Sequence, residues 1–138
     1  MNLGLKVLNK RKDGYHNLHS LFVELALSDE LIFTSSSHFK LSADCANNIQ
    51  LSLGNTNLIS LAYKLMRKEA RADSSEYTVH LNKTIPIGSG LGGGSSNAAS
   101  TIKALNELWE MNYSPNKLET ISAKLGADVP FFIRGGFQ

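Results

Sequence analysis

The sequence predicts an α+β fold, a mixed β-sheet carrying helices on one side. Three observations predict it. Apolar residues alternate with period two through most of the first half and again at Tyr77, Val79 and Leu81. After Gly54 the period changes to that of a helix. A dense glycine cluster then separates the last alternating run from a second helical stripe.

The elements follow in order. Leu3, Leu5 and Val7 alternate with Gly4, Lys6 and Leu8, as a half-buried strand requires. The polar stretch from Asn9 to Gly14 supplies a turn, with Asp13-Gly14 as its strongest local signal. A second strand is expected from Leu18 to Leu27, where Leu21, Val23, Leu25 and Leu27 share one parity. Shorter strands are expected at Leu31–Thr34 and Phe39–Leu41, on either side of Ser35, Ser36 and Ser37. Leu58, Leu61, Ala62, Leu65 and Met66 then fall at helical spacing, with Asn57 placed to cap the helix start. Polar residues from Arg67 to Glu76 end that helix before the strand at 77–81. Beyond the glycines, Ala98, Ile102, Leu105 and Trp109 form one helical stripe. Ser114 and Pro115 read as N-cap and first position of a third helix, with Leu118, Ile121 and Leu125 facing inward and Gly126 at its end. Val129 to Ile133 reads as one more strand. The chain stops at Gly135-Gly136-Phe137-Gln138, where a domain would normally run on into a partner element, so a piece of a longer protein is expected.

Composition bounds the function. At 138 residues there is enough chain for one hydrophobic core, and 42% apolar with 19% charged residues describes a globular protein. A net charge of +2 gives no footprint for nucleic acid, and Lys10-Arg11-Lys12 reads as a solvated hairpin tip. Cys45 stands alone, so neither an intrachain disulfide nor a cysteine metal cluster can form. No apolar run approaches the roughly 18 residues of a membrane span, and no secretory leader opens the sequence. A cytoplasmic address is therefore expected, with no membrane partner. His19, His38 and His80 have no partners at ligand spacing and are assigned no chemistry.

The segment Pro86 to Ala99 is the most informative. Gly88, Gly90, Gly92, Gly93 and Gly94 crowd together, and Ser95, Ser96 and Asn97 open a helix behind them. Glycines let backbone approach a ligand without Cβ clashes, and consecutive N–H groups form an anion-binding concavity. The helix start aims unpaired N–H groups and about half a positive charge into the same space. This suits a polyphosphate, and a seryl hydroxyl there could also meet Mg²⁺. No Gly-Lys-Ser/Thr closes the loop, so it is not a Walker A motif. Gly88, Gly90 and Gly93 match a dinucleotide fingerprint, but Pro86 stands where such a turn would follow directly and no acidic residue ends a second strand about 20 positions on. A mere hinge would not need two serines and a capped helix.

The run Pro86-Ile87-Gly88-Ser89-Gly90-Leu91-Gly92-Gly93-Gly94-Ser95-Ser96-Asn97-Ala98-Ala99 is similar to the second signature motif of the GHMP kinases. Its triple glycine and Ser-Ser-Asn-Ala-Ala resemble the version in the branch whose acceptor is 4-diphosphocytidyl-2-C-methyl-D-erythritol, in the non-mevalonate isoprenoid pathway. Asn2-Leu3-Gly4-Leu5 with Arg11 to His16 resembles that branch's opening motif. Gly126-Ala127-Asp128-Val129-Pro130-Phe131-Phe132 resembles its catalytic-aspartate segment. The resemblance spans residues 1–138 and implies the N-terminal, ATP-binding domain of such a kinase, of the ribosomal protein S5 domain 2-like fold, without the second lobe.

The resemblance implies a role for each position. ATP with Mg²⁺ would be held by Pro86, Gly88, Gly90, Leu91, Gly92, Gly93, Gly94, Ser95 and Ser96, with Asn57 near adenine and Ser96 toward the metal. Asp128 would accept or orient the proton of the attacking hydroxyl; spacing alone would favour a turn residue bonding its own backbone. Tyr15 and His16 would hold the cytidine end of the cytidine-diphosphate methylerythritol substrate, with Asn2 and Phe22 lining the same pocket. The family's catalytic lysine precedes the segment in which Met1 already occupies the apolar position, so it is absent here. A late start accounts for this, and a fragment alone should be inactive and self-associate through uncovered apolar surface. Two rivals stand beside this reading: another GHMP kinase of homoserine or mevalonate type, and a non-catalytic nucleotide-binding protein that keeps the fold.

Overall fold

The computed structural model describes residues 2–10, 16–45, 51–71 and 74–136. Two sheets carry the strands. In the first, β1 (Asn2–Lys10) and β2 (His16–Phe22) run antiparallel, with Asn2 opposite Phe22 and Lys10 opposite His16. Irregularities near both ends of β1 interrupt the register. The second sheet has the order β3 (Glu30–Ser36), β5 (Glu76–Lys83), β4 (Lys40–Cys45). β5 lies between them, antiparallel to β3 and parallel to β4, so this sheet is mixed. A parallel neighbour cannot be reached by a tight turn. The crossover from β4 to β5 accordingly carries helix α1 (Leu58–Glu69).

The helices cover one face of this sheet. Val79 and Leu81 of β5 are fully buried against Ile59, Ala62 and Met66 of α1 and Ala98, Ile102 and Leu105 of α2 (Gly93–Leu108) in a single apolar cluster. Ile32, on the other parity of β3, is 44% exposed. On that open face His80 bridges Ser42 (2.9 Å) and Asn82 (3.1 Å). Tyr63 stacks on Phe39 and meets Trp109 edge-on, while its hydroxyl donates to Glu76 (2.8 Å). α3 (Pro115–Ser122) starts at a capping Ser114 with Pro115 in its first turn, and α4 (Val129–Arg134) packs against α2 and α3. Among the described residues no helix is long and apolar enough to cross a membrane.

Four local expectations are corrected. Residues 129–133 form helix α4, not a strand. Val129, Phe131, Phe132 and Ile133 are all buried, so the short run carries no period, and Pro130 is preset for a first helical turn. β2 ends at Phe22, and Leu25 and Leu27 beyond it are 39% and 44% exposed. The buried stripe of α1 is Ile59, Ala62, Tyr63 and Met66, rotated from the expected one; Leu61 and Leu65 are only half-buried. α2 starts at Gly93, two residues before the serines.

Candidate functional site

The site is built where β5 ends and α2 begins. Beyond Lys83 the chain leaves the sheet, and the N–H groups of Thr84 and Ile85 would lose their partners. Asp29, one residue ahead of β3, accepts both at 2.7 Å through one carboxylate oxygen. Its other oxygen accepts from Lys83 Nζ (2.7 Å) and from Asn97 Nδ2 on α2 (2.9 Å). Lys83 also donates to the Ile85 carbonyl. The Asp29 side chain is 0% exposed and that of Lys83 7%. Burial pushes the Asp29 carboxyl up, but the Lys83 ammonium, the Asn97 amide and the two backbone donors together hold it below its ordinary value.

The glycine loop lies on this base. Gly88, Gly90 and Gly92 all have φ between +72° and +74°, a left-handed backbone that other residues rarely adopt. At Gly92, Gly93 and Gly94 the constraint is close approach. A Cβ on Gly92 would come 2.9 Å from the Phe132 ring of α4. One on Gly93 would meet Ile85 at 2.9 Å and Lys83 Nζ at 3.1 Å, and one on Gly94 would meet Leu58 of α1 at 3.3 Å. The first α2 bond runs from Ser96 N–H to the Gly92 carbonyl (2.8 Å). The N–H groups of Gly93, Gly94 and Ser95 therefore precede the helical ladder and have no partner within it. No acidic side chain occupies that first turn. Such an array favours an anion.

A cavity of about 230 Å³ opens beside the helix start, lined by Ser52, Asn57, Leu58, Leu81, Lys83 and Gly94 among others. Asn57 caps α1, its Oδ1 accepting from Ile59 N–H at 2.9 Å, while its Nδ2 donates to the Ser52 carbonyl at 2.8 Å. The cap expected from the sequence is thus present, and the same amide borders the cavity. The Ser96 hydroxyl donates to the Gly93 carbonyl (3.1 Å), which leaves its oxygen able to accept. Among the described residues no group of three or more His, Cys, Asp or Glu side chains could hold a metal ion.

Asp128 lies exposed at the start of α4 and makes no side-chain bond to the helix it precedes. The turn residue satisfied by its own backbone is therefore not what is seen. α4 itself is fastened to the glycine loop by Phe132 beneath Gly92, and to α2 by Lys103 Nζ donating to the Phe132 carbonyl (3.2 Å). Its Phe131 meets Phe22 of β2 with ring centroids 5.0 Å apart. Phe22, Pro130, Phe131 and Arg134 line a further open cavity of about 640 Å³. Asn2 faces Phe22 across the first sheet, and His16 opens β2. Tyr15 lies outside the described residues.

Sequence reading missed Asp29 and Lys83. They stand 54 residues apart and belong to no local pattern, so only the packing of β3, β5 and α2 joins them.

The profile of the GHMP kinases N terminal domain matches residues 57–136. A 4-diphosphocytidyl-2-C-methyl-D-erythritol kinase of Prochlorococcus marinus is 43% identical over 140 residues, covering 100% of this chain and 44% of its own length. A crystal structure of 4-(cytidine 5'-diphospho)-2C-methyl-D-erythritol kinase superposes with a TM-score of 0.75 at 39% identity, covering 96% of this chain and 46% of that one. A homoserine kinase from Cytophaga hutchinsonii has a TM-score of 0.56 at 16% identity over 78% of this chain and 34% of that one, a likeness of fold alone. The chain thus spans less than half the length of the relatives it matches. With the domain profile matching more than half of its residues, the chain belongs to the GHMP kinase family.

Proposed function

We propose that the protein carrying this chain is an ATP-dependent kinase that phosphorylates the 2-hydroxyl of 4-diphosphocytidyl-2-C-methyl-D-erythritol, with residues 1–138 as its ATP-binding N-terminal domain. The observation that carries the reading is the run of three closely packed glycines at the start of α2, whose first N–H groups lie outside the helical ladder. Relatives of that activity at 39–43% identity over nearly the whole chain support the acceptor.

On this reading the N–H groups of Gly93, Gly94 and Ser95 hold phosphate oxygens and stabilise charge as the γ-phosphoryl group leaves ADP. Pro86, Gly88, Gly90 and Leu91 shape the loop above them. Asn57 borders the cavity in which the adenine would sit. Mg²⁺ would neutralise charge on the phosphates, and Ser96 Oγ is the group of this segment that would hold it. Asp128 takes or orients the proton of the 2-hydroxyl while that oxygen bonds to phosphorus. Its exposed carboxylate, unspent on its own helix, supports the role. Phe22, on the cavity beside α4, belongs to the acceptor side with Asn2, Tyr15 and His16. Catalysis is positioning and charge stabilisation, with no covalent enzyme intermediate.

The test assays the intact protein with MgATP against the cytidyl acceptor, homoserine and simpler alcohols. The cytidyl compound should be phosphorylated in strong preference. Asp128→Asn should bind both ligands normally yet lose about 10²-fold or more in kcat. Efficient turnover of homoserine with the cytidyl compound ignored would make the acceptor wrong. No phosphoryl transfer to any alcohol would remove the kinase reading itself.

A further inference from the structure

We infer that Asp29 is a positioning residue for the phosphate loop, acting through Lys83 and Asn97. The inference rests on the ATP reading above and names a determinant of that same site. One carboxylate gathers donors from both ends of the loop. Lys83 Nζ and the Thr84 and Ile85 N–H groups lie at its entry, and Asn97 Nδ2 lies four residues into the helix at its exit. Tying both ends to one group fixes the mouth of the loop before any ligand arrives, and preorganisation of this kind lowers the ordering cost of binding.

The charge arrangement gives the role its sign. The Lys83 ammonium lies 3.1 Å from where a Gly93 Cβ would stand, directly against the first residue of α2. A helix start carries partial positive charge, so a lone ammonium there is disfavoured. Asp29 neutralises it and leaves the backbone N–H groups to face the phosphates. Removing one partner of a buried pair leaves an uncompensated charge. With Asp29 neutral, Lys83 must seek water or another anion, and Gly93 and Ile85 are the neighbours that must move to let it. The damage therefore falls on nucleotide binding before it reaches the acceptor.

The experiment compares wild type, Asp29→Asn and the double variant Asp29→Asn with Lys83→Met in the intact protein. Calorimetry with a non-hydrolysable ATP analogue and Mg²⁺ gives nucleotide affinity, and steady-state kinetics give the KM of each substrate. Asp29→Asn should weaken nucleotide binding at least tenfold while the acceptor KM stays within threefold. The double variant buries no lone charge, so it should fold even if Asp29→Asn does not. Its nucleotide affinity should be intermediate, more than threefold below wild type and better than that of any folded Asp29→Asn. Nucleotide binding within threefold of wild type in the double variant would overturn the inference. So would an equal rise in both KM values, which marks a merely structural role. If wild type itself fails to bind the nucleotide, the ATP reading has failed, an outcome distinct from either.

Discussion

Gly92, Gly93 and Gly94 stand side by side, yet each is approached from a different quarter: by Phe132 of α4, by Ile85 and Lys83 where the chain leaves β5, and, less closely, by Leu58 of α1. The glycine cluster ahead of a helix was legible in the sequence. The three separate obstacles were not, because Phe132 and Leu58 lie far from the loop in sequence and Ile85 meets it only once the chain has turned back. These contacts make Gly93→Val a sharp test. Its Cβ would be driven into Ile85 Cγ2, which is buried, and Lys83 Nζ, which is held by Asp29. Overpacking of this kind costs about 1–3 kcal/mol, so the melting temperature should fall. In the intact, still folded protein, nucleotide affinity should drop at least tenfold by calorimetry. A folded variant with unchanged affinity would remove Gly93 from the binding surface.

At the scale of elements, regular periodicity and cap chemistry were the dependable signals. The stripe Ala98, Ile102, Leu105 and Trp109 is buried as its spacing requires, and the Asn57 and Ser114 caps are both present. Failure came where the apolar pattern was not one-sided. Val129, Phe131, Phe132 and Ile133 are all buried, so the apolar run carried no period and Pro130 was the better guide. Likewise Leu25 and Leu27 kept strand parity beyond Phe22, where β2 ends. Asn57 is where cap and site overlap, and its two duties can be separated. Asn57→Ala should cost about 1 kcal/mol of stability through the lost cap. Asn57→Ser keeps a capping oxygen and should restore most of that, measured by denaturant unfolding. If the amide also serves the nucleotide, Asn57→Ser should still raise the KM for ATP several-fold. A serine variant that recovers both stability and KM would reduce Asn57 to a cap.

Over the whole molecule, α4 is the element that touches both the glycine loop and the end of the first sheet. Asp128 precedes it, Phe132 lies against Gly92 of the glycine loop, and Phe131 packs on Phe22 at the end of the first sheet. The order of the motifs along the chain was legible, but these contacts were not, since they depend on residues 129–134 being helical. A helix turns Phe131 and Phe132 in different directions, and a strand would have sent Phe131 and Phe132 to opposite faces of one sheet. The first sheet is joined to the helical body by the Phe22–Phe131 pair and by two contacts between Glu24 and Gly136, Glu24 N–H to the Gly136 carbonyl and Gly136 N–H to Glu24 Oε2, both 2.9 Å. Phe22→Ala deletes the ring pair, worth about 0.5–1.5 kcal/mol beyond its buried area. The sheet carrying Asn2 and His16 should then sit less firmly against α4. On the proposed reading that sheet serves the acceptor and the glycine loop serves ATP, so the two KM values should part. The acceptor KM should rise several-fold with the ATP KM nearly constant, and amides of β1 and β2 should exchange faster with solvent. Phe22→Leu, which keeps apolar bulk, should fall between. If the ATP KM moved as far as the acceptor KM, Phe22 would be supporting the whole domain, and the division of labour between the first sheet and the loop would be wrong.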